Sequence, residues 1–174
     1  MIIADDRNTF TEMIRQSQTA VYNVAYRLLG NAQDAEDATQ ETFLRAYRFR
    51  HTYKADCPPG PWLKRITVNV CLQRLGKTPP VQSLDEDMIQ PLDPHPGPQA
   101  QAEEHDVQER IQAELLHLPP RYRAVIELRH FQDLSYDEIA DALSRPLSDI
   151  KSDLFRARRL LAERLRDLKL EPVP

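Results

Sequence analysis

Residues 77–101, KTPPVQSLDEDMIQPLDPHPGPQAQ, set the tightest limit on what this chain can fold into. The stretch is rich in proline and acidic residues and free of aromatic ones. It cannot bury enough apolar surface to offset the entropy of ordering itself. Its prolines remove backbone donors and hold the chain extended and semi-rigid. At about 3.3 Å per residue, a strap of this length spans at most roughly 80 Å. A packed core must therefore form on either side of it. The expectation is two small modules, residues 1–76 and 102–174, joined by a linker at 77–101.

Both modules are expected to be helical. The 174-residue chain holds 4 glycines against 14 prolines, too few glycines for many tight hairpins. The fold class expected is therefore all-α. The formal net charge is −4, unevenly spread. Residues 76–118 hold 2 basic and 9 acidic residues, while residues 1–75 hold 10 and 8, and residues 119–174 hold 11 and 10. The acid is concentrated in the middle, which argues against a uniformly basic nucleic-acid coat. The start, MIIADDRNTF, has no basic residue leading into an apolar run, so no signal peptide is expected. No long uncharged apolar stretch is present, so no membrane insertion is expected either. Cys57 and Cys71 do not make a secreted disulfide framework, and a reducing cytoplasm is the expected location.

The periodicity predicts a first helix from about Thr9 to Leu29, with Phe10, Met13, Ile14, Val21, Val24, Ala25 and Leu28 on one stripe. Gly30 is its stop and Asn31 the cap of a second helix, about Ala32 to Arg50. HTYKADCPPGP interrupts it, and Pro61 suits the first turn of a third helix with Trp62, Leu63, Ile66 and Val70 inward, fading near Leu75 and Gly76. In the second module a helix is expected over Ala102–Leu116. Another is opened by Pro119 and Pro120 and runs through AVIELRHFQ. Ser135 and Glu138 have capping-box spacing ahead of a short helix. After a turn at 143–147 comes the last helix, with Ser148 as its cap and Ile150, Leu154, Ala157, Leu161, Leu165 and Leu168 buried.

The unit at 135–159, a helix, a short turn and a second helix, is of the kind that places its second helix in a major groove. Subtracting the apolar stripe leaves Ser148, Asp149, Lys151, Ser152, Asp153, Phe155, Arg156 and Arg159 outward. That set mixes base-reading and phosphate-contacting groups. An ordinary solvated helix face is the alternative. Tyr47, Tyr53 and Trp62 are interleaved with Arg45, Arg48, Arg50, Lys54, Lys64 and Arg65, a pattern that suits unpaired bases stacked between cations. Core burial of Trp62 and Tyr47 is equally open. Asp34, Glu36, Asp37, Gln40 and Glu41 form an acidic face that either offsets the helix dipole or docks a basic protein. His51, Cys57 and Cys71 lack metal-ligand spacing, and no cofactor or metal is expected. No phosphate-binding loop, nucleophile elbow or zinc-protease motif is present, so no enzyme is expected.

Two segments carry a family resemblance. DAEDATQETFLRAYR followed by WLKRITVNVCLQRL resembles region 2 of bacterial sigma factors. LPPRYRAVIELRHFQDLSYDEIADAL followed by PLSDIKSDLFRARRLL resembles their region 4. With no room for the intervening regions, the chain resembles the compact extracytoplasmic-function (ECF) class. The resemblance implies a promoter-specificity subunit that rides on core RNA polymerase, contacting the β′ clamp helices and the β flap. By that resemblance Asp34, Asp37, Gln40, Glu41 and Leu44 meet the polymerase. Tyr53, Trp62, Lys64, Arg65, Asn69 and Arg74 hold the melted minus-10 element. Ser148, Asp149, Lys151, Ser152, Asp153, Phe155, Arg156 and Arg159 read the minus-35 element. Promoter DNA and an anti-sigma factor are further implied partners. Two promoter elements about two helical turns apart, roughly 70 Å, lie within reach of the strap.

The chain departs from the family pattern in places. Asp149 and Asp153 stand where threonine and a basic residue are usual, Val68 replaces an arginine before Asn69, and the loop reads DCPPGPW. Asp149 in a first turn is favoured by the dipole and can accept from a cytosine amino group. Asp153 is expected to neutralise Arg156 three residues on. A stand-alone helix-turn-helix regulator, and a sigma-like decoy that binds polymerase without reading DNA, are the rival readings.

Overall fold

The computed structural model describes residues 7–54, 56–76 and 102–167, with side chains from Asp106 to Arg166 in the last span. The expected linker at 77–101 and Leu168 lie outside the described residues. The chain divides into two compact units, residues 1–78 and 79–174, each described here by itself. Among the described residues the regular elements are all helical.

The first unit is a three-helix bundle of α1 (Arg7–Leu29), α2 (Ala32–Arg48) and α3 (Pro59–Gly76). Each packs on the other two. Gly30 takes the left-handed conformation, φ 72°, that glycine adopts at no steric cost, and its N–H closes the last turn of α1 onto Tyr26 O at 2.8 Å. Asn31 then caps α2, its side chain accepting from Asp34 N at 3.1 Å. Val21, Val24, Ala25 and Leu28 of α1 meet Ala35, Ala38 and Ala46 of α2 and Leu63, Val68, Val70 and Cys71 of α3. The alanines let α2 approach closely. Phe10, Met13, Phe43, Trp62 and Ile66 close the periphery. Each fully buried Leu or Val contributes about 1.5–3 kcal/mol.

Three buried threonines were not expected in this core. Thr39, Thr42 and Thr67 turn their hydroxyls back onto the carbonyls of Ala35, Ala38 and Leu63 at 2.7–2.8 Å, which satisfies the only polar atom each side chain brings inside. Two boundaries also differ from expectation. Helix α2 ends at Arg48 and tightens into a short 3₁₀ turn, Arg50–Thr52, rather than running to Arg50. Helix α3 starts at Pro59, so Pro59 as well as Pro61 occupies the first turn, where a missing N–H costs nothing.

The second unit is built around α7 (Leu147–Asp167), against which α4 (Ala102–Leu116), α5 (Pro120–Ile126) and α6 (Tyr136–Leu143) all pack. Its core is Leu115, Leu118, Tyr122, Ala124, Val125, Ile126, Leu128, Ile139, Ile150, Leu154 and Ala157. Helix α5 does not continue regularly to Gln132. It widens into a π-turn at Glu127–Phe131, where Gln132 N bonds back to Glu127 O at 3.1 Å and Leu134 N to Leu128 O at 3.0 Å. The buried Glu127 accepts from Gln132 Nε2 at 2.8 Å.

Candidate nucleic-acid interface

The helix, turn and helix unit of the second module is fixed at three backbone points. Ser135 caps α6 and forms the full capping box with Glu138, with side-chain bonds of 3.2 Å and 2.7 Å. Ser144 ends α6 in the left-handed conformation, φ 51°. Arg145 N then bonds to Ala140 O at 3.0 Å, and the N–H groups of Asp149 and Ile150 converge on Pro146 O. Helix α7 therefore begins at Leu147. Ser148 is not its cap but sits within its first turn, because Pro146 already supplies the accepting carbonyl.

Seven of the eight expected reading residues are exposed along α7: Ser148, Asp149, Lys151, Ser152, Phe155, Arg156 and Arg159. Phe155 is 68% exposed, a high value for a large apolar side chain. Asp153 is the exception. It is 3% exposed, and its neutralising partner is not Arg156. Its Oδ2 lies 2.8 Å from Arg145 Nη1, and its Oδ1 lies 3.8 Å from Arg121 Nε. The angles at Oδ2 fall outside hydrogen-bond geometry, so the Arg145 contact is an ion pair. The physical reason for the inward turn is position. Asp153 follows Ile150 by three residues and precedes Ala157 by four, which puts it on the edge of the buried stripe.

Arg145 also reaches Asp149, Nη2 to Oδ2 at 3.9 Å, so a single guanidinium in the turn is bracketed by both carboxylates. On the same flank Arg121 donates to Tyr122 Oη at 3.1 Å and stacks over the Tyr122 ring at 4.9 Å. That hydrogen bond, followed by a second from Arg156, lowers the Tyr122 hydroxyl below its ordinary value despite burial. The opposite flank of α7 carries a second cluster. Arg158 donates to His130 Nε2 and to Tyr136 Oη, each at 3.3 Å, and Arg129 lies over the Tyr136 ring at 5.4 Å. Arg121, Tyr122, Arg145, His130 and Tyr136 were not singled out from the sequence. Only the 3.6 period could have linked Lys151, Phe155 and Arg158 beforehand.

In the first unit the loop before α3 brings Tyr53 against Trp62, ring centroids 5.1 Å apart and tilted by 40°. Tyr53 Oη donates to Cys57 O, which ties the loop across its own base. Both rings are half-buried, between the two readings that the sequence left open. Trp62, Arg65 and Asn69 share one face of α3 by spacing, while Lys64 and Arg74 lie off it. Arg74 instead reaches across to Glu41 of α2 at 3.3 Å, and Glu41 also accepts from Arg45. Residues expected at two different surfaces are thus joined by one carboxylate. Partial burial opposes ionisation of Glu41, but the Arg45 hydrogen bond, with Arg74 adding, holds its carboxyl below the usual range. Asp34 and Gln40 are exposed, Asp37 is half-buried, and Leu44 is 65% exposed at the outer edge of the same helix. Tyr47 is exposed, capped by Phe10 edge-on at 5.5 Å and by Arg50 at 4.3 Å.

Cys57 is exposed and Cys71 buried, and neither is bonded to the other. Among the described residues no cluster of His, Cys, Asp and Glu could hold a metal ion, and no helix is long and apolar enough to cross a membrane.

Comparison with known proteins agrees with this layout. Residues 13–78 match the family Sigma-70 region 2, and residues 108–161 match Sigma-70, region 4. The chain is 36% identical over 159 residues to the ECF RNA polymerase sigma factor SigE of Mycolicibacterium smegmatis, covering 90% of this chain and 62% of that relative. It is 31% identical over 172 residues to the ECF RNA polymerase sigma factor SigW of Bacillus subtilis, covering 94% and 92%. In fold it resembles the sigma factor RpoE from Bartonella quintana, solved with the anti-sigma factor NepR, at a TM-score of 0.69 and 23% identity over 94% of this chain and 98% of that one. Two family regions in the expected order, and relatives aligned along nearly the whole chain, place it: the chain belongs to the sigma-70 family of RNA polymerase sigma factors, in the ECF class.

Proposed function

We propose that this chain binds core RNA polymerase in the cytoplasm, directs it to promoters through two DNA elements and helps open the duplex. The chain supplies no catalytic step of its own. Helix α7 reads the minus-35 element with Ser148, Asp149, Lys151, Ser152, Phe155, Arg156 and Arg159. Trp62, Arg65 and Asn69, with Tyr53 and Lys64 beside them, hold the unwound minus-10 strand. Base capture offsets an unstacking cost of a few kcal/mol per base. Asp34, Asp37, Gln40 and Leu44 face the β′ clamp helices, with Glu41 already engaged by two arginines. The region 4 unit reaches the β flap. An anti-sigma protein covers these surfaces when the factor is held inactive.

The observation that carries this reading is the exposed, polar and aromatic face of α7, set on a turn fixed by Ser144 and Pro146. The test is capture of core polymerase by the purified chain, followed by run-off transcription on genomic fragments with start sites mapped. Capture with specific start sites is the expected result. Failure to capture polymerase would leave the stand-alone regulator. Capture without promoter-dependent transcripts would leave the decoy.

A further inference from the structure

We propose that Asp153 is a specificity-determining positioning residue that withholds two arginines from the DNA backbone. The inference rests on the assignment of α7 as the reading helix. A carboxylate 3% exposed in the second turn of that helix is costly to keep unless it is paired. Asp153 is paired on both oxygens, with Arg145 at 2.8 Å and Arg121 at 3.8 Å. Arg145 leads into α7, where a cation of a reading unit is well placed for a phosphate. Its guanidinium instead points inward, with the side chain 28% exposed and Asp149 drawing on it from the other side at 3.9 Å. Arg121 is more open, but is held by the Tyr122 hydroxyl as well as by Asp153.

The consequence concerns the balance of binding terms. A guanidinium on a phosphate adds affinity for every sequence alike and no discrimination. Holding two of them on an internal carboxylate lowers the affinity for random duplex. Base-edge contacts of the exposed face then make up a larger share of what remains. Asp153 acts through Arg145 and Arg121 and touches no base.

The experiment uses holoenzyme reconstituted from the full chain and core polymerase. Duplexes selected from a random library are compared with unselected duplex across a salt series. Asp153→Asn keeps the shape and removes the charge. It is expected to steepen the slope of log Kobs against log salt on random duplex by about 0.9 for each guanidinium released, up to about 1.8 for both. The preference for selected over random duplex is expected to fall several-fold. Asp153→Asn combined with Arg145→Gln is expected to return the slope by about 0.9, a reversal that simple loosening of the fold would not produce. An unchanged slope in Asp153→Asn, with wild-type preference intact, overturns the inference alone. So does a steeper slope that Arg145→Gln leaves in place. No preference between selected and random duplex in wild-type holoenzyme overturns the reading-helix assignment, and this inference with it.

Discussion

Arg145→Ala removes the closer of the two cations that accompany the Asp153 carboxylate indoors. The pair stands at 2.8 Å, with Asp153 4% and Arg145 28% exposed in their side chains. Deleting one partner of a buried ion pair costs about 3–5 kcal/mol, because the charge left behind has lost both its water and its counterion. Arg121, at 3.8 Å from the other oxygen, stays in place and softens the loss. The expected destabilisation of the second unit is therefore near the lower end, about 3 kcal/mol. In a unit of this size each kcal/mol moves the thermal midpoint by roughly 4–8 °C, so a fall of about 12–24 °C is expected. The assay is thermal unfolding of the full chain, with hydrogen exchange at the α7 amides reporting the second unit and Trp62 fluorescence the first. Trp62 belongs to α3, and its transition is expected to stay where it is in the wild type. A fall of less than about 4 °C at α7 would refute the reasoning, since it would mean that Asp153 does not depend on Arg145 for its place.

Ser135→Ala removes the arm in which Glu138 N donates to Ser135 Oγ, leaves the backbone Ser135 N–H donating to Glu138, and is expected to cost about 1 kcal/mol, seen as a matching loss in the urea midpoint of the second unit. Glu138→Ala removes the other arm, the Ser135 N–H donation to its carboxylate, and a loss in the urea midpoint is expected in each single variant. Partial desolvation, then the Arg158 and Arg129 guanidinium groups, lowers the His130 pKa below its usual 6.5. The unfolded chain thus takes up a proton before the folded one. Stability of the second unit is expected to be full above about pH 6.5 and to fall as pH drops toward the lowered folded-state value. In His130→Gln that acid-side loss is expected to shrink, measured by urea titrations at a series of pH values.

Local chemistry was legible in the sequence where both partners lie within a few residues. Gly30, Asn31 and the pair of Ser135 and Glu138 could be placed because a cap depends on its own turn alone. The apolar stripe of α1 followed from period, as did that of α7 through Ile150, Leu154 and Ala157, whereas Leu161 and Leu165, expected to be buried, are half-buried. Asp153 was misplaced because charged side chains are outward by default, while its closest partner lies eight residues back and the other at Arg121. The helical period had already put it beside Ile150 and Ala157, and in this case the period outweighed residue chemistry. The Glu41 and Arg74 pair was hidden for the same reason, being 33 residues apart on different helices. The π-turn after Ile126 could not be read at all, since nothing in ELRHF distinguishes a widened turn from an ordinary one.

The elbow between α6 and α7 has a consequence for how such a factor can diversify. Ser144, though not a glycine, is committed to a left-handed backbone, and Pro146 allows one narrow φ on the far side. The aim of α7 is thus set by residues outside its own exposed face. Under the proposed function, new promoter addresses can accumulate by exchanging side chains along α7 one at a time, with the barrel of the instrument left pointing where it was.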